Sequence, residues 1–327
     1  MKKTLIKNIG LLASPRGFAA QGGQAQGDIV TLKDAYVLIE DGRIAQVGSG
    51  TPPGLEADVI DAGRQLVTPG LVDAHTHLVF GGWRAHEMQM KLAGVPYLDI
   101  LAQGGGILST VRATRAASAK ELEDKAASAL DEMLRLGVTT AEAKSGYGLN
   151  LAEEIKQMEV VKALNLRQPV QLVSTLMAAH AVPEEYQENR RVFIDLIIQE
   201  IIPVAAQSDL ATFCDIFCET GVFSVEESRE ILLAAKTHGL GLKIHADEIN
   251  AIGGSELAGE LGAVSAEHLI AIQPDGIAAL KQGGTIACLL PATSFYLDKP
   301  FAPARDMIAA GVPVAVATDF NPGSCPG

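Results

Sequence analysis

The alternation of apolar and polar positions divides the chain into two regions. Residues 4–67 predict short strands separated by turns, with strand-like runs at 4–13, 35–40, 43–47 and 58–67. The pair Asp41-Gly42 between two of these runs is typical of a two-residue hairpin turn. Pro69-Gly70 then interrupts the pattern. We therefore expect residues 1–67 to form the N-terminal strands of a small β-sandwich and residues 68–327 to form a second domain.

From residue 71 onward, strand-like runs alternate with helical patterns. Eight such runs are present, at 71–77, 138–143, 170–178, 212–218, 241–247, 263–267, 284–290 and 313–318. Ser118 with Glu121, and Ser224 with Glu227, have the capping-box spacing that marks a helix start. Eight such units favour an α/β fold of the (β/α)8 TIM-like barrel type. An open doubly wound sheet is the alternative, but Gly104-Gly105-Gly106 lies too far from the first strand to serve as its phosphate loop.

The predicted barrel is incomplete at its C-terminal end. The eighth strand ends near Asp319 and the sequence stops at Gly327, which leaves no segment for an eighth helix. The N-terminal strands also have no C-terminal partner strands, and an isolated sheet of few strands is only marginally stable. We therefore expect the sequence to be a fragment of a longer protein, with a barrel that lacks its last helix.

Composition narrows the functional classes. Apolar residues make up 48% and charged residues 20% of the 327 positions, which excludes wholesale disorder. The 26 basic and 39 acidic residues give a net charge of −13, which disfavours nucleic acid and anionic membranes as partners. Lys7 and Asn8 interrupt any signal-peptide core, and no apolar run reaches the roughly 18 residues of a membrane span. The four cysteines form no CxxC pair, which favours reduced thiols in a cytoplasmic protein.

Histidines gather at the predicted strand ends. Of the seven histidines, five lie there: His75, His77, His180, His245 and His268. Strand ends make up about a tenth of the chain, so about one histidine is expected there by chance. Catalytic residues of a (β/α)8 barrel come from the C-terminal ends of its strands. The distribution therefore indicates an active site at that face of the barrel.

His75-Thr76-His77 suggests a metal site. Residues i and i+2 of a strand point to the same side, so both imidazoles are expected to face the barrel axis. His245 and Asp319, at the ends of the fifth and eighth strands, complete a set of imidazole and carboxylate ligands. The alternative is a group of buried histidines that hydrogen bond to the backbone.

Four further residues are candidates for chemistry or binding. Glu248 begins the loop after the fifth strand and can move a proton, whereas its neighbour Asp247 is expected in a surface ion pair. His268 can polarise a water or a carbonyl, or instead be a buried structural histidine. Tyr147 lies between two glycines that let the backbone approach a ligand. Arg84 suits carboxylate recognition, although from the residues alone a surface arginine is the more usual case.

These residues resemble the amidohydrolase superfamily and, within it, the imidazolonepropionase family. Residues 68–77 are similar to the first-strand motif of the superfamily, and Asp41-Gly42-Arg43-Ile44 resembles its small β-sandwich. The match to the narrower family runs over essentially the whole chain. Its distinctive stretches are 80–84, 103–107, 142–148, 179–183, 243–248 and 318–324.

The resemblance implies an activity and a set of site residues. The family hydrolyses the cyclic amide of 4-imidazolone-5-propanoate to N-formimidoyl-L-glutamate, a step of histidine degradation. The implied metal ligands, for one zinc or iron ion per chain, are His75, His77, His245 and Asp319. For the mechanism we predict Asp319, His268, Glu248 and His180 as the catalytic residues. The implied contacts to substrate or product are Arg84, Tyr97, Tyr147, His180, Glu248, Asn321, Gly323 and Ser324.

Two other functions stay open at this point. An exocyclic deaminase of the same superfamily, acting on cytosine or guanine, shares the histidines and the final aspartate. Arg84 with Tyr147 argues against it, because a neutral base needs no guanidinium for a carboxylate. A catalytically dead, truncated barrel is the second alternative. We expect a small carboxylate as the substrate, a homodimer as the assembly, and no nucleic acid or membrane as a partner.

Overall fold

The computed structural model describes residues 2–95 and 105–326, and its contacts divide the chain into the compact units Met1–Gly70 and Leu71–Gly327. The strands of the first unit are β1 (Lys3–Pro15), β2 (Ile29–Glu40), β3 (Arg43–Ser49), β4 (Asp58–Asp61) and β5 (Leu66–Val67), with a 3-10 turn at Gly23–Gly27. They form one sheet in the order β3-β2-β1-β4, and β5 pairs with β1. The first unit is therefore a five-stranded sheet, as expected for a small β domain.

The turns of this sheet follow its sequence closely, with one exception. Asp41 and Gly42 both have positive φ, +48° and +80°, and Glu40 pairs with Arg43, so the predicted hairpin is confirmed. The single strand predicted over 58–67 is wrong. It is split because Gly63 and Arg64 adopt left-handed backbone conformations, and the Asp61 carboxylate accepts the Gly63 N–H at 2.8 Å. This local hydrogen bond turns the chain between β4 and β5.

The second unit is a nearly closed barrel of eight parallel strands. The strands are β6 (Leu71–Asp73), β7 (Val138–Lys144), β8 (Gln171–Ala179), β9 (Phe213–Cys218), β10 (Gly241–Ala246), β11 (Ser265–His268), β12 (Ile286–Leu289) and β13 (Val314–Val316). They follow one another in chain order around the sheet. A parallel bridge between Thr76 and Phe320 joins the two edges. All eight predicted strands are confirmed.

The first strand is shorter than its sequence predicted. It ends at Asp73, and the segment from His75 to His77 instead bonds to the irregular segment that follows β13. The Asp319 N–H donates to the His75 carbonyl, and the His77 N–H donates to the Phe320 carbonyl, each at 2.9 Å. The two segments that carry the candidate ligands are therefore tied directly to each other.

Helices lie between the strands of the barrel. Their bounds are α1 (Glu87–Leu92), α2 (Gly106–Ala116), α3 (Ala119–Arg135), α4 (Leu151–Asn165), α5 (Arg190–Leu196), α6 (Ile202–Gln207), α7 (Val225–Thr237), α8 (Gly254–Leu261), α9 (Pro274–Gly283), α10 (Pro291–Tyr296) and α11 (Ala304–Ala310), with a π-helical turn at Ile197–Ile201. Ser118 and Ser224 cap α3 and α7 with complete capping boxes, as predicted. In the described part of the chain, no helix combines the length and apolarity needed to cross a bilayer.

Candidate metal centre and active site

The structure brings the candidate metal ligands together at one end of the barrel. One ligand atom each from His75, His77 and His245 lies within 4.8 Å of the others, and His75, His268 and Asp319 form an overlapping group with the same limit. The Nε2 atoms of His75 and His77 are 3.3 and 3.6 Å from Asp319 Oδ1. All five side chains are buried. The predicted ligand set therefore converges, and His268 lies beside it.

The donor atoms of this cluster fit a metal ion. His75 Nε2 and His245 Nε2, which are buried ring nitrogens of two candidate ligands, have no hydrogen-bond partner among the described residues. Such groups are costly to bury without a partner, and coordination would satisfy them. Atoms that share one tetrahedral zinc ion at about 2.1 Å stand roughly 3.4 Å apart. The distances of 3.3 and 3.6 Å from His75 Nε2 and His77 Nε2 to Asp319 Oδ1 agree with this value.

The protonation of the histidines also suits coordination. Burial lowers the pKa of His75, His77 and His245 well below the usual value, and the positive charge of Lys144 adds to this effect. These imidazoles are therefore neutral near pH 7, which is the form that binds metals.

A group of charged residues inside the barrel escaped the sequence analysis. Its members lie on β7, β9, β10 and β11 and are Glu142, Lys144, Asp215, Lys243 and Glu267. The Glu267 carboxylate contacts His75 Nδ1, and Asp215 Oδ2 lies 3.0 Å from His245 Nδ1. Ionisable residues in otherwise apolar barrel strands were the signal that could have found them. Lys243 precedes His245 by two residues, so both point to the same side of their strand.

Two carboxyl groups beside the ligands, the buried Asp319 and the partly buried Glu248, hold protons unusually tightly. Burial raises the pKa of Asp319 to about 7, although its hydrogen bond from Thr293 opposes the shift. Burial, with repulsion from Asp319, raises the pKa of Glu248 to about 8. Glu248 Oε2 lies 3.5 Å from His268 Nε2. Near neutral pH, one carboxyl group is therefore poised to accept a proton and the other to donate one.

The surface ion pair expected for Asp247 is wrong. Its side chain is buried, and its carboxylate accepts a hydrogen bond from the Ser255 hydroxyl at 2.5 Å. Its backbone carbonyl also accepts the Ala271 N–H at 2.7 Å. Asp247 therefore joins the loop after β10 to the start of α8 and to the segment after β11.

His180 and Tyr147 form an aromatic wall next to the ligands. The His180 ring stacks on His77 at a centroid distance of 4.8 Å, and Tyr147 lies 5.3 Å from His180. The Tyr147 N–H donates to Gln157 Oε1 at 3.1 Å, which fixes the loop after β7. Gly146 is needed there, because its φ is +103° and a Cβ would lie 2.9 Å from His180 Nδ1. Burial lowers the pKa of His180 to about 4, so this ring is neutral.

Arg84 lies against the loop that follows β13. A Cβ added at Gly323 would sit 1.3 Å from the Arg84 Nη2 atom, so the guanidinium fits only because residue 323 is glycine. Asn321 Oδ1 accepts the N–H groups of Gly323 and Ser324, each at 2.8 Å. The Arg84 side chain is only 12% exposed, unlike an ordinary surface arginine. Tyr97 lies outside the described residues.

Known proteins resemble this chain in both sequence and fold. The model of the amidohydrolase family matches residues 66–326. The imidazolonepropionase of Fusobacterium nucleatum is 53% identical over 329 residues, which cover 98% of this chain and 78% of the relative. That of Alkaliphilus metalliredigens is 50% identical over 333 residues, covering 100% of this chain and 79% of the relative. A guanine deaminase structure from C. acetobutylicum with bound guanine has a TM-score of 0.67 at 16% identity, covering 99% of this chain and 76% of that one, and this likeness concerns the fold alone.

Proposed function

This chain belongs to the amidohydrolase family, and we propose that it hydrolyses the cyclic amide of 4-imidazolone-5-propanoate to N-formimidoyl-L-glutamate, a step of histidine degradation. The observation that carries the proposal is the pairing of a buried histidine and carboxylate cluster with a guanidinium at its rim. The cluster suits hydrolysis, and Arg84 suits the carboxylate of a propanoate tail. The names of the relatives at 50 and 53% identity support the same activity.

We propose one zinc or iron ion per chain, held by His75, His77, His245 and Asp319. These imidazole and carboxylate donors suit either metal, and the family is metal-dependent. When bound, such an ion acts as a Lewis acid that makes water a nucleophile near neutral pH. The ligand set and the identity of the ion are both open to direct measurement.

The chain's own residues move the protons of the reaction. Asp319 accepts the proton of the attacking water, whose oxygen bonds to the ring carbonyl carbon. The neutral ring of His268 donates a hydrogen bond to the oxygen that gains charge. His180 donates its Nδ1–H to the Gly146 carbonyl at 3.1 Å, so its neutral ring offers Nε2 as an acceptor for an N–H of the substrate ring. The carbon–nitrogen bond then breaks, and Glu248 or Asp319 delivers a proton to the departing nitrogen. The raised pKa values of both carboxyl groups suit this exchange near pH 7.

The rim residues bind and orient the ring. Arg84 holds the carboxylate tail, and Tyr147, His180 and Glu248 contact the ring, which is thereby placed over the cluster. We propose that Asn321, Gly323 and Ser324, in the loop after β13, line the site where the product is bound. Tyr97 is proposed as a further contact to the propanoate on the family resemblance alone.

An exocyclic deaminase remains the alternative reaction within the same fold. A neutral base substrate would offer no carboxylate to Arg84, whose Nε lies 3.6 Å from Glu87 Oε2. A catalytically dead barrel is the other alternative, and the unpartnered ring nitrogens of the cluster argue against it. The two alternatives predict different products from the proposed reaction: a deaminase releases ammonia, and a dead barrel forms no product.

Mass spectrometry of products tests the proposal directly. The purified chain is loaded with zinc, its metal content is measured, and imidazolone propanoate and cytosine are offered side by side. Addition of one water to the imidazolone compound is the expected result. Loss of ammonia from cytosine would assign the chain to the deaminases. Metal binding with neither substrate changed would support the catalytically dead barrel.

We also propose that the chain acts in the cytoplasm as a homodimer, on a small carboxylate, without nucleic acid or membrane. The four cysteines are buried, which suits reduced thiols, and the net charge of −13 repels polyanions. The homodimer rests on the family resemblance, and sedimentation equilibrium of the purified chain measures it.

A further inference from the structure

Five charged side chains fill the barrel interior next to the metal-ligand cluster, and we call them the barrel lattice. They are Glu142, Lys144, Asp215, Lys243 and Glu267, and their side chains are between 0 and 7% exposed. Removing one partner from a buried ion pair is strongly destabilising, whereas apolar side chains of similar volume are often tolerated. Stability alone therefore gives no reason for charges here.

The barrel lattice contains two arms, and each ends on a candidate ligand. In the first arm, Lys243 Nζ lies 3.2 Å from Glu267 Oε1, and Glu267 Oε2 contacts His75 Nδ1. In the second arm, Lys144 Nζ lies 2.5 Å from Asp215 Oδ2, which is 3.0 Å from His245 Nδ1. A carboxylate on the second ring nitrogen of a ligating histidine fixes its tautomer and raises its basicity.

Glu142 joins the two arms. Its Oε2 atom lies 2.9 Å from Lys144 Nζ, and its Oε1 atom lies 2.8 Å from Lys243 Nζ. Thr175 also donates its hydroxyl to Oε1 at 2.5 Å. Among the described residues, the Glu142 carboxylate makes no hydrogen bond or ion pair with a histidine. The side-chain connections from this carboxylate to the candidate ligands therefore run through the lysines.

The backbone around the ligands is anchored to the same residues. Lys243 Nζ donates to the carbonyl of Ala74 at 3.0 Å, directly before His75. The hydroxyl of Thr76, between the two histidines, donates to the Glu142 carbonyl at 2.5 Å. The positions of His75 and of the barrel lattice are thus linked through both side chains and backbone.

We infer that Glu142 is a positioning residue that couples the two arms, so that His75 and His245 are oriented toward a metal as one unit. Because Glu142 shares both lysines, neither lysine pairs exclusively with its own arm's carboxylate. Without the Glu142 charge, Lys144 pairs more closely with Asp215, and Lys243 pairs more closely with Glu267. Each of these carboxylates then becomes a weaker hydrogen-bond acceptor for the histidine of its arm. The inference rests on the proposed metal-dependent function and deepens it.

Metal affinity, measured without substrate, tests the coupling. The metal-stripped full chain is titrated with Zn²⁺ in competition with a chromophoric chelator. Outer carboxylates of this kind contribute about 10- to 100-fold to metal affinity, and we expect Asp215→Asn and Glu267→Gln to weaken binding by such factors. We expect Glu142→Gln, which contacts no ligand, to weaken binding roughly 10-fold.

A double-mutant cycle separates coupled arms from independent ones. The Asp215→Asn/Glu267→Gln variant should lose less affinity than the product of the two single losses. In a Glu142→Gln background, the same two losses should become multiplicative, because the connection between the arms is gone. Multiplicative losses in the parent chain, or a Glu142→Gln affinity within twofold of the parent, would overturn the inference.

Controls distinguish positioning from general destabilisation. Glu227→Gln removes a carboxylate bound at two points by Arg190 outside the barrel, and it should leave Zn²⁺ affinity unchanged. At saturating Co²⁺, the visible absorption bands report ligand geometry and should shift in Glu142→Gln but not in Glu227→Gln. If Glu142→Gln does not fold, Thr175→Val removes one hydrogen bond to Glu142 and should weaken binding several-fold, and unchanged affinity there would contradict the inference. A parent chain that binds no metal would overturn the proposed function itself.

Discussion

The candidate site has two parts that the chain builds in different ways. The inner part consists of the barrel lattice and the candidate metal ligands, and the rim surrounds it. The lattice side chains point inward from regular strands and are held by ion pairs, such as that of Lys243 with Glu142 at 2.8 Å. The rim residues Arg84, Tyr147 and Gly323 lie on segments beyond the strand ends. Backbone hydrogen bonds such as that from the Tyr147 N–H fix these segments. Glycines at 146 and 323 leave room for the side chains of His180 and Arg84.

Because the two parts are held in different ways, substitutions in them should have different effects. A change in the lattice leaves a buried charge without its partner, so metal affinity and stability should fall together. A change at the rim alters how a substrate is held but leaves the cluster of imidazoles intact. We therefore expect the two parts to separate in kinetics, with the inner part governing kcat and the rim governing KM.

The largest expected effect is at the inner part. Asp319→Asn removes the carboxylate proposed to accept the proton of water, while keeping the shape and the hydrogen bond from Thr293. A general base contributes about 10²- to 10⁴-fold, so kcat should fall by that factor. The measurement is kcat with saturating zinc, with metal content and circular dichroism recorded on the same sample. Near-normal kcat in a metal-loaded, folded variant would show that Asp319 is not the proton acceptor.

The next largest effect is expected on KM, from a substitution at the rim. Arg84→Met removes the proposed carboxylate anchor, and hydrogen bonds to charged groups contribute about 1.5–3 kcal/mol, so KM should rise roughly 10- to 100-fold. The zinc affinity should not change, because Arg84 touches none of the ligands that we propose. Arg84→Lys is the matched control, since it keeps the charge but cannot bind a carboxylate with two parallel hydrogen bonds, and it should give an intermediate KM. A fall in kcat with KM unchanged would remove Arg84 from substrate binding.

The sequence predicted the candidate ligands and the rim residues but not the barrel lattice beside them. The five histidines and Asp319 could be found because a barrel brings all C-terminal strand ends to one face, and the ends were visible as the limits of apolar runs. The eight barrel strands and both capping boxes follow from the same periodicity. The β4–β5 break was missed because it depends on two left-handed residues, Gly63 and Arg64, and arginine rarely adopts that conformation.

The connections between side chains could not be predicted in the same way. Glu142 and Glu267 lie 125 positions apart in the chain, and that they share Lys243 depends on the register of β7, β10 and β11. The contact of Arg84 with Gly323 likewise joins the loop after β6, the first barrel strand, to the loop after β13, the last one. Asp247 was misjudged because its burial depends on the packing of α8. Local patterns locate such residues, but only the three-dimensional structure shows their partners.

The pH dependence of metal binding should distinguish the two parts without any substrate. Burial raises the pKa of Asp319 to about 7, so below pH 7 this carboxyl group carries a proton that a metal must displace. Affinity should therefore fall as the pH is lowered, by about tenfold per unit for one displaced proton. The pKa values of His75, His77 and His245 are lowered by burial, so these rings add no proton in that range.

Competition titrations with zinc between pH 5 and 7 measure this slope. In Asp319→Asn the slope should largely disappear, although the absolute affinity is lower. Arg84→Met should keep the slope of the parent chain, because the rim carries no displaced proton. A slope that survives unchanged in Asp319→Asn would assign the displaced proton to another group.

The smallest expected effect tests how the rim is packed. In Gly323→Ala the new Cβ would sit 1.3 Å from Arg84 Nη2, so the guanidinium has to move. Loss of one hydrogen bond costs about 0.5–1.5 kcal/mol, so KM should rise by up to about tenfold, with kcat and zinc affinity close to those of the parent. Gly54→Ala is the control for the substitution itself, since nothing lies within 4 Å of a Cβ at Gly54.

A double-mutant cycle decides whether Gly323 acts through Arg84 or by itself. If its only role is to leave room for the guanidinium, Gly323→Ala should add nothing to KM in the Arg84→Met background, because the displaced group is already absent. If Gly323 instead contacts the product directly, the cost should persist in that background and appear in product inhibition as well. Equal costs in both backgrounds would therefore separate the loop after β13 from the carboxylate anchor and make it an independent part of the rim.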